Sequence, residues 1–190
     1  MTRIIGGRAG SLPLTVPDAG TRPTSDRVRE SLFGGLDAAD ALSGAAVLDL
    51  YAGSGALGLE SVSRGARSAD LVEKNARAAD VARRNAATVT RAVPGGQVRV
   101  HRQDAATFLR SAAGSWDVVF LDPPYGLAES ALLEVLELLG PRLTPDATVI
   151  LERATRSGAP DLPATLALFR DKRYGDTTLW WLHPTQAGGV

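Results

Sequence analysis

The sequence contains no cysteine, which excludes disulfides and thiolate-ligated metals and fits a reducing compartment. It has no uncharged apolar run near the roughly 20 residues that span a bilayer. Its opening Met1-Thr-Arg-Ile-Ile-Gly-Gly7 lacks the apolar stretch of a secretory signal. Net charge of one sign is missing too: 21 basic residues balance 21 acidic ones, so overall charge does not announce a nucleic-acid partner. Lysine is nearly absent, Lys74 and Lys172 being the only two, and positive charge is carried by arginine, whose fork suits phosphates. Only two histidines occur, His101 and His183, and neither has an acid at a spacing that suggests catalysis. Both read as strand-face residues. The expectation is a soluble cytoplasmic chain, monomeric and without a metal.

What is present is a chain of 190 residues with 44% hydrophobic and 22% charged residues, suited to one core. Charge is unevenly spread. Residues 1–29 carry five arginines against two aspartates, whereas the remainder is net acidic.

From residue 45 onward, strand-like runs at 47–51, 69–73, 98–102, 117–122 and 148–152 alternate with helix-period stretches at 57–64, 76–90, 105–112 and 128–142. This alternation is the signature of βαβ units that build a parallel sheet with helices on both faces. The runs 166–174 and 177–183 are joined only by Gly175-Asp176 and predict an antiparallel hairpin closing one edge. Trp180 and Trp181 should then point to opposite faces. Residues 1–20 suggest a small hairpin. Pro23-Thr24-Ser25-Asp26 opens a helix to about Leu32, with Ser25 or Thr24 as N-cap. Gly34 to Ala46 reads as a connector, giving an extension over 1–36 and a main domain over 37–190.

The sharpest local feature is Asp49-Leu-Tyr51-Ala-Gly53-Ser54-Gly55-Ala-Leu-Gly58, a strand end, a glycine turn and a helix start. Glycines here allow positive φ and let a ligand approach the backbone at a helix N-terminus. The pattern also matches a dinucleotide fingerprint. Asp49 argues against that, because a carboxylate beside the turn repels pyrophosphate but attracts an ammonium, such as that of S-adenosylmethionine. Glu73 closes the next strand, where an acid meets ribose hydroxyls in nucleotide-binding α/β folds. Asp104-Ala105 follows the third strand and is placed for the adenine amino group, with a helix N-cap as the competing role.

The fourth strand ends in Asp122-Pro123-Pro124-Tyr125, where two prolines fix the backbone and present a carboxylate and an aromatic ring rigidly. Methylation of a conjugated amino group needs such a corner. Hydrogen bonds to Asp122 and the Pro123 carbonyl would turn the nitrogen lone pair out of conjugation, and Tyr125 would stack on the base. A rigid turn with a buried tyrosine is the alternative.

With these motifs the sequence resembles the class I methyltransferases with an (N/D)-P-P-(Y/F) motif, and more closely the RsmD family of 16S ribosomal RNA guanine-N2 methyltransferases. The likeness extends through Arg3-Ile-Ile-Gly-Gly7, Arg22-Pro-Thr24-Ser-Asp-Arg27-Val-Arg29-Glu-Ser-Leu-Phe33, Ala52 to Glu60 and Asp122 to Tyr125. It implies a Rossmann-like sheet of about seven strands, S-adenosylmethionine as donor and small-subunit RNA as partner. Arg3, Arg22, Thr24, Arg27 and Arg29 are the candidate RNA contacts. The chain departs from the family after Gly7, reading Arg8-Ala-Gly-Ser-Leu12 where a denser basic cluster is usual, and Gly34-Gly35 should shorten the first helix. An acceptor-only carboxylate at Asp122 suits the adjacent N1–H and N2–H donors of guanine. A DNA or protein-glutamine amino-methyltransferase, a non-catalytic RNA-binding assembly factor and a nicotinamide oxidoreductase are the competing readings.

Overall fold

A computed structural model describes residues 2–17 and 26–185. A small antiparallel pair, β1 (Thr2–Arg3) and β2 (Pro13–Leu14), precedes helix α1 (Asp26–Ala38). The main run follows as β3 (Ala46–Leu50), α2 (Ala56–Ser63), β4 (Ser68–Val72), α3 (Ala76–Ala92), β5 (Gln97–His101), α4 (Ala105–Ser111), β6 (Trp116–Leu121), α5 (Glu129–Leu139) and β7 (Leu143–Ala154). The hairpin β8 (Leu166–Tyr174) and β9 (Thr177–Pro184) ends the fold. The seven-stranded sheet has the order β5-β4-β3-β6-β7-β9-β8. All pairs from β5 to β7 are parallel, while β9 inserts antiparallel between β7 and β8.

Alternation along β3 divides the apolar side chains between the faces. Val47 joins a core with α1, α2 and α3, and Leu48 and Leu50 join one with α4 and α5. Trp181 packs into the first and Trp180 against the second, as period-two geometry requires. The predicted parallel strands up to β6 lie within one residue of their observed limits, but β7 starts at Leu143 rather than near 148. Its early half carries Pro145, and the pairing with β6 shifts register between Trp116 and Val118, which accommodates a residue that cannot donate to the ladder.

Two expectations need correction. Helix α1 does not stop near Leu32 or shorten at Gly34-Gly35; it continues to Ala38. Phe33 and Leu36 are buried in the core, and Phe33 packs on Phe120 with ring centroids 5.8 Å apart, so burial of the last turn outweighs the roughly 1 kcal/mol cost of each helical glycine. The boundary expected after residue 36 therefore falls inside α1, and Ile4, Ala9 and Leu14 of the extension belong to the same core as β3 and α2. The N-cap expected at Thr24 or Ser25 lies outside the described residues.

The extension is held by polar side chains of the main domain. Glu60, fully buried on α2, accepts from the amides of Ile5 (2.6 Å) and Gly6 (2.8 Å). Ser63 accepts from the Ala9 amide (2.8 Å) and donates to the Gly6 carbonyl (2.6 Å). Asn85 of α3 exchanges two bonds with the backbone of Thr15 and donates a third to the Ser54 carbonyl at 2.9 Å. Among the described residues, no helix is long and apolar enough to cross a membrane.

Candidate active site

Sheet register brings the predicted motifs together. Leu50 lies opposite Val72 on one side and Leu121 on the other. Tyr51, Glu73 and Asp122, each one residue further on, therefore leave the sheet at one level. The chain departs to opposite sides of β3 here, and such a switch point opens a crevice beyond the strand ends. The crevice is a cleft of about 230 Å³ whose wall includes Asp49, Tyr51, Gly53, Ser54, Glu73 and Asp122, together with Arg29 and Pro124.

The glycine turn has the geometry that its sequence requires. Gly55 caps α2 at φ 81°, and a Cβ there would stand 2.8 Å from Leu71. Gly58 is needed for close packing, since a Cβ would lie 2.3 Å from Leu71 and 3.3 Å from the Asp49 Cβ. Tyr51 adopts φ 65°, a left-handed conformation unfavourable for a non-glycine residue and of the kind stored at functional sites. Burial, and then the charge of Asp104, push its phenol up to about 12.

Asp49 is buried and accepts from the Gly58 amide at 2.9 Å. Desolvation raises its pKa to about 7; the Gly58 bond works against that rise and the Glu73 charge adds to it. A carboxylate stripped of water in a cleft is matched by an incoming cation. Glu73 accepts from the amides of Gly53 (3.0 Å) and Asn75 (2.7 Å), which fixes its carboxylate at the cleft wall.

Asp122 is half-buried and borders two cavities, the main cleft and a smaller hollow lined by Pro123, Tyr125, Leu132, Glu152 and Arg153. Tyr125 is 65% exposed, which removes the reading of a tyrosine buried in a structural turn. Glu129 holds Arg153 through two bonds of 3.0 and 2.6 Å at the far wall of the hollow.

Not every expected residue lines that cleft. Asp104 and Ala105 are not among its wall residues, although the Asp104 charge reaches Tyr51 in the wall. Asp104 caps α4, accepting from the Thr107 amide (3.1 Å) and hydroxyl (2.5 Å), bonds that hold its carboxyl below the ordinary range. Arg3 and Arg27 are exposed, as an RNA contact requires, while Arg22 and Thr24 lie outside the described residues. Arg29 is a correction: it is 1% exposed and points inward, where its Nη2 donates to the Arg3 carbonyl (2.7 Å) and Asp26 (2.9 Å). His101 is a second one. It does have an acid, Asp70, at 2.8 Å across the β4–β5 pair, and Asp70 also accepts from the Trp116 indole at 3.1 Å. That cluster braces the sheet away from the cleft.

Residues 2–183 match the family model described as Conserved hypothetical protein 95. The ribosomal RNA small subunit methyltransferase D of Escherichia coli K12 is 38% identical, with 98% of this chain and 91% of the relative covered. The chain belongs to this methyltransferase D family. The solved structure of Escherichia coli yhhF, at 36% identity, superposes with a TM-score of 0.83 over 96% of this chain and 97% of the other. The class I fold extends well beyond the family. Magnesium protoporphyrin IX methyltransferase from Synechocystis PCC 6803, whose structure holds bound S-adenosylmethionine, is only 19% identical yet superposes at 0.66 over 84% of this chain and 79% of the other.

The family's methyl donor, S-adenosylmethionine, can be tested against the cleft residues. Its amino-acid end carries an ammonium, which suits the desolvated Asp49, and its ribose diol suits the fixed acceptor Glu73. It carries no phosphate, so three carboxylates in one wall do not repel it. The residues present fit.

Neither Glu60 nor Asn85 stood out in the sequence as part of the site's support. A glutamate within the mostly apolar Leu57-Gly-Leu-Glu-Ser-Val62 was the available signal for the first. Asn85, amid an alanine-rich helix, gave none.

Proposed function

We propose that the chain transfers a methyl group from S-adenosylmethionine to the exocyclic N2 amino group of a guanine in 16S ribosomal RNA. One observation carries the reading: Asp122 lies in the wall of the cleft that also contains Asp49, the glycine turn and Glu73, and borders the adjoining hollow where Tyr125 is exposed. The names of the relatives favour RNA over DNA or protein as acceptor.

The donor supplies an electrophilic methyl group on a sulfonium. Asp49 and Glu73 hold and orient it from two sides of the glycine turn. Asp122 and the Pro123 carbonyl accept hydrogen bonds from the two amino protons and turn the nitrogen lone pair out of conjugation with the ring. Tyr125 offers its exposed face for stacking and fixes the base plane. Such alignment is worth roughly 7–11 kcal/mol of barrier. As the amine becomes cationic, the Asp122 carboxylate stabilises a charge absent from the ground state. A base held inside a duplex would first be flipped out to reach this rim. Arg3 and Arg27, with Arg22 and Thr24, are the proposed RNA contacts.

Asp122→Ala tests this assignment. Methylation of small-subunit RNA, followed with labelled donor, should fall at least about 100-fold while donor binding persists. An unchanged rate refutes the role of Asp122, and label on DNA or protein alone refutes the acceptor. Mapping modified nucleotides in cells with and without the gene identifies the target.

A further inference from the structure

Arg29 presents an anomaly that its helix packing does not explain. Its guanidinium is almost wholly buried, and among the described residues only Nη2 is bonded; Nε and Nη1 have no partner there. Buried cationic donors left unsatisfied are costly, and a buried arginine ordinarily meets a carboxylate through two parallel bonds. The one acid it touches among the described residues, Asp26, reaches only Nη2 and is itself half exposed. Arg29 nonetheless contributes to the wall of the main cleft, where the other charged residues are Asp49, Glu73, Lys74 and Asp122. That wall has an excess of negative charge, and Arg29 is its one buried cation.

We infer that Arg29 is the anchor for the α-carboxylate of the methyl donor, a role that rests on the donor assigned above. The amino-acid end of S-adenosylmethionine is a zwitterion and needs opposite charges at two points of one pocket. Asp49 answers the ammonium, and the unpartnered Nε and Nη1 of Arg29 answer the carboxylate as a bidentate fork. An RNA phosphate is the other anion at hand, but Arg29 belongs to the wall of the cleft that also contains Asp49, so the anion that reaches it is one carried into that cleft with the donor. Arg29 also donates to the Arg3 carbonyl, so the anchoring side chain is braced by the N-terminal extension. The extension would thus help to build the donor site.

Calorimetric titration of the full chain with two ligands separates this role from a structural one. The ligands are S-adenosylhomocysteine and its decarboxylated analogue, which keeps the adenosine, thioether and ammonium. The wild type should bind the carboxylate-bearing ligand at least tenfold more tightly. Arg29→Met should weaken S-adenosylhomocysteine by about 10- to 100-fold, the range of charge-assisted hydrogen bonds, and shift the analogue less than threefold. Equal weakening of both ligands would reduce Arg29 to a strut and overturn the inference. So would weaker RNA binding with unchanged S-adenosylhomocysteine affinity. Should Arg29→Met not fold, equal wild-type affinity for the two ligands would still overturn it. Failure of the wild type to bind either ligand would instead remove the donor assignment beneath it.

Discussion

At the residue scale, burial makes Asp49 sensitive to pH near neutrality. Its folded pKa of about 7 stands above the ordinary 3.8, so between these values the folded state binds more protons than the unfolded one. The stability that it contributes is therefore complete below the unfolded value and is lost as pH rises through about 7. An ammonium beside it favours the charged form and reverses the shift. Donor binding should release a proton below neutrality, and affinity should fall as the solution is acidified. Asp49→Asn keeps an acceptor for the Gly58 amide but removes the titration. It should melt at a higher temperature than the wild type at pH 8, the gain being on the order of a few kcal/mol, and lose both donor affinity and its pH dependence. Thermal melts and calorimetry in two buffers check both; a pH dependence that survives in the variant would rule Asp49 out as its source. Asp49 was legible in the sequence because it directly precedes a glycine turn. Arg29 and the His101–Asp70 pair were not, since burial and cross-strand partners depend on residues distant in the chain.

At the element scale, α1 shows where local propensity is overruled. Gly34 and Gly35 weaken a helix, yet the turn that they begin is retained because Leu36 is buried against the sheet. Gly34 is exposed and a Cβ there would meet nothing within 4 Å. Gly34→Ala should therefore stabilise the protein by about 0.5–1 kcal/mol without altering methylation, measured as a shift in the urea midpoint at constant slope. A destabilised variant would mean that α1 ends before this turn in solution. The parallel strands were readable because short apolar runs between glycine and proline signals leave few alternatives. The start of β7 was not, because Pro145 disguises a strand that pairs through a register shift.

At the scale of the whole molecule, the N-terminal segment is tied to the elements that carry the glycine turn. Asn85 ties Thr15 to the Ser54 carbonyl of the glycine turn, and Glu60, on the helix that this turn begins, ties down Ile5 and Gly6. Asn85→Ala leaves both Thr15 groups without those bonds and should cost about 1–3 kcal/mol. Hydrogen exchange should speed up at Thr15 and in the glycine turn together. Faster exchange at only one of them would show that the two segments are not coupled through Asn85. By itself the sequence determined the alternating α/β order, the glycine turn with its aspartate and the rigid Asp-Pro-Pro-Tyr corner, because each rests on backbone preferences and periodicities within a few residues. Only the tertiary structure decided that Arg29 is buried at the cleft rather than exposed to solvent, and that the extension shares the core. Those outcomes turn on which distant groups exclude water from a side chain, and no local pattern encodes that.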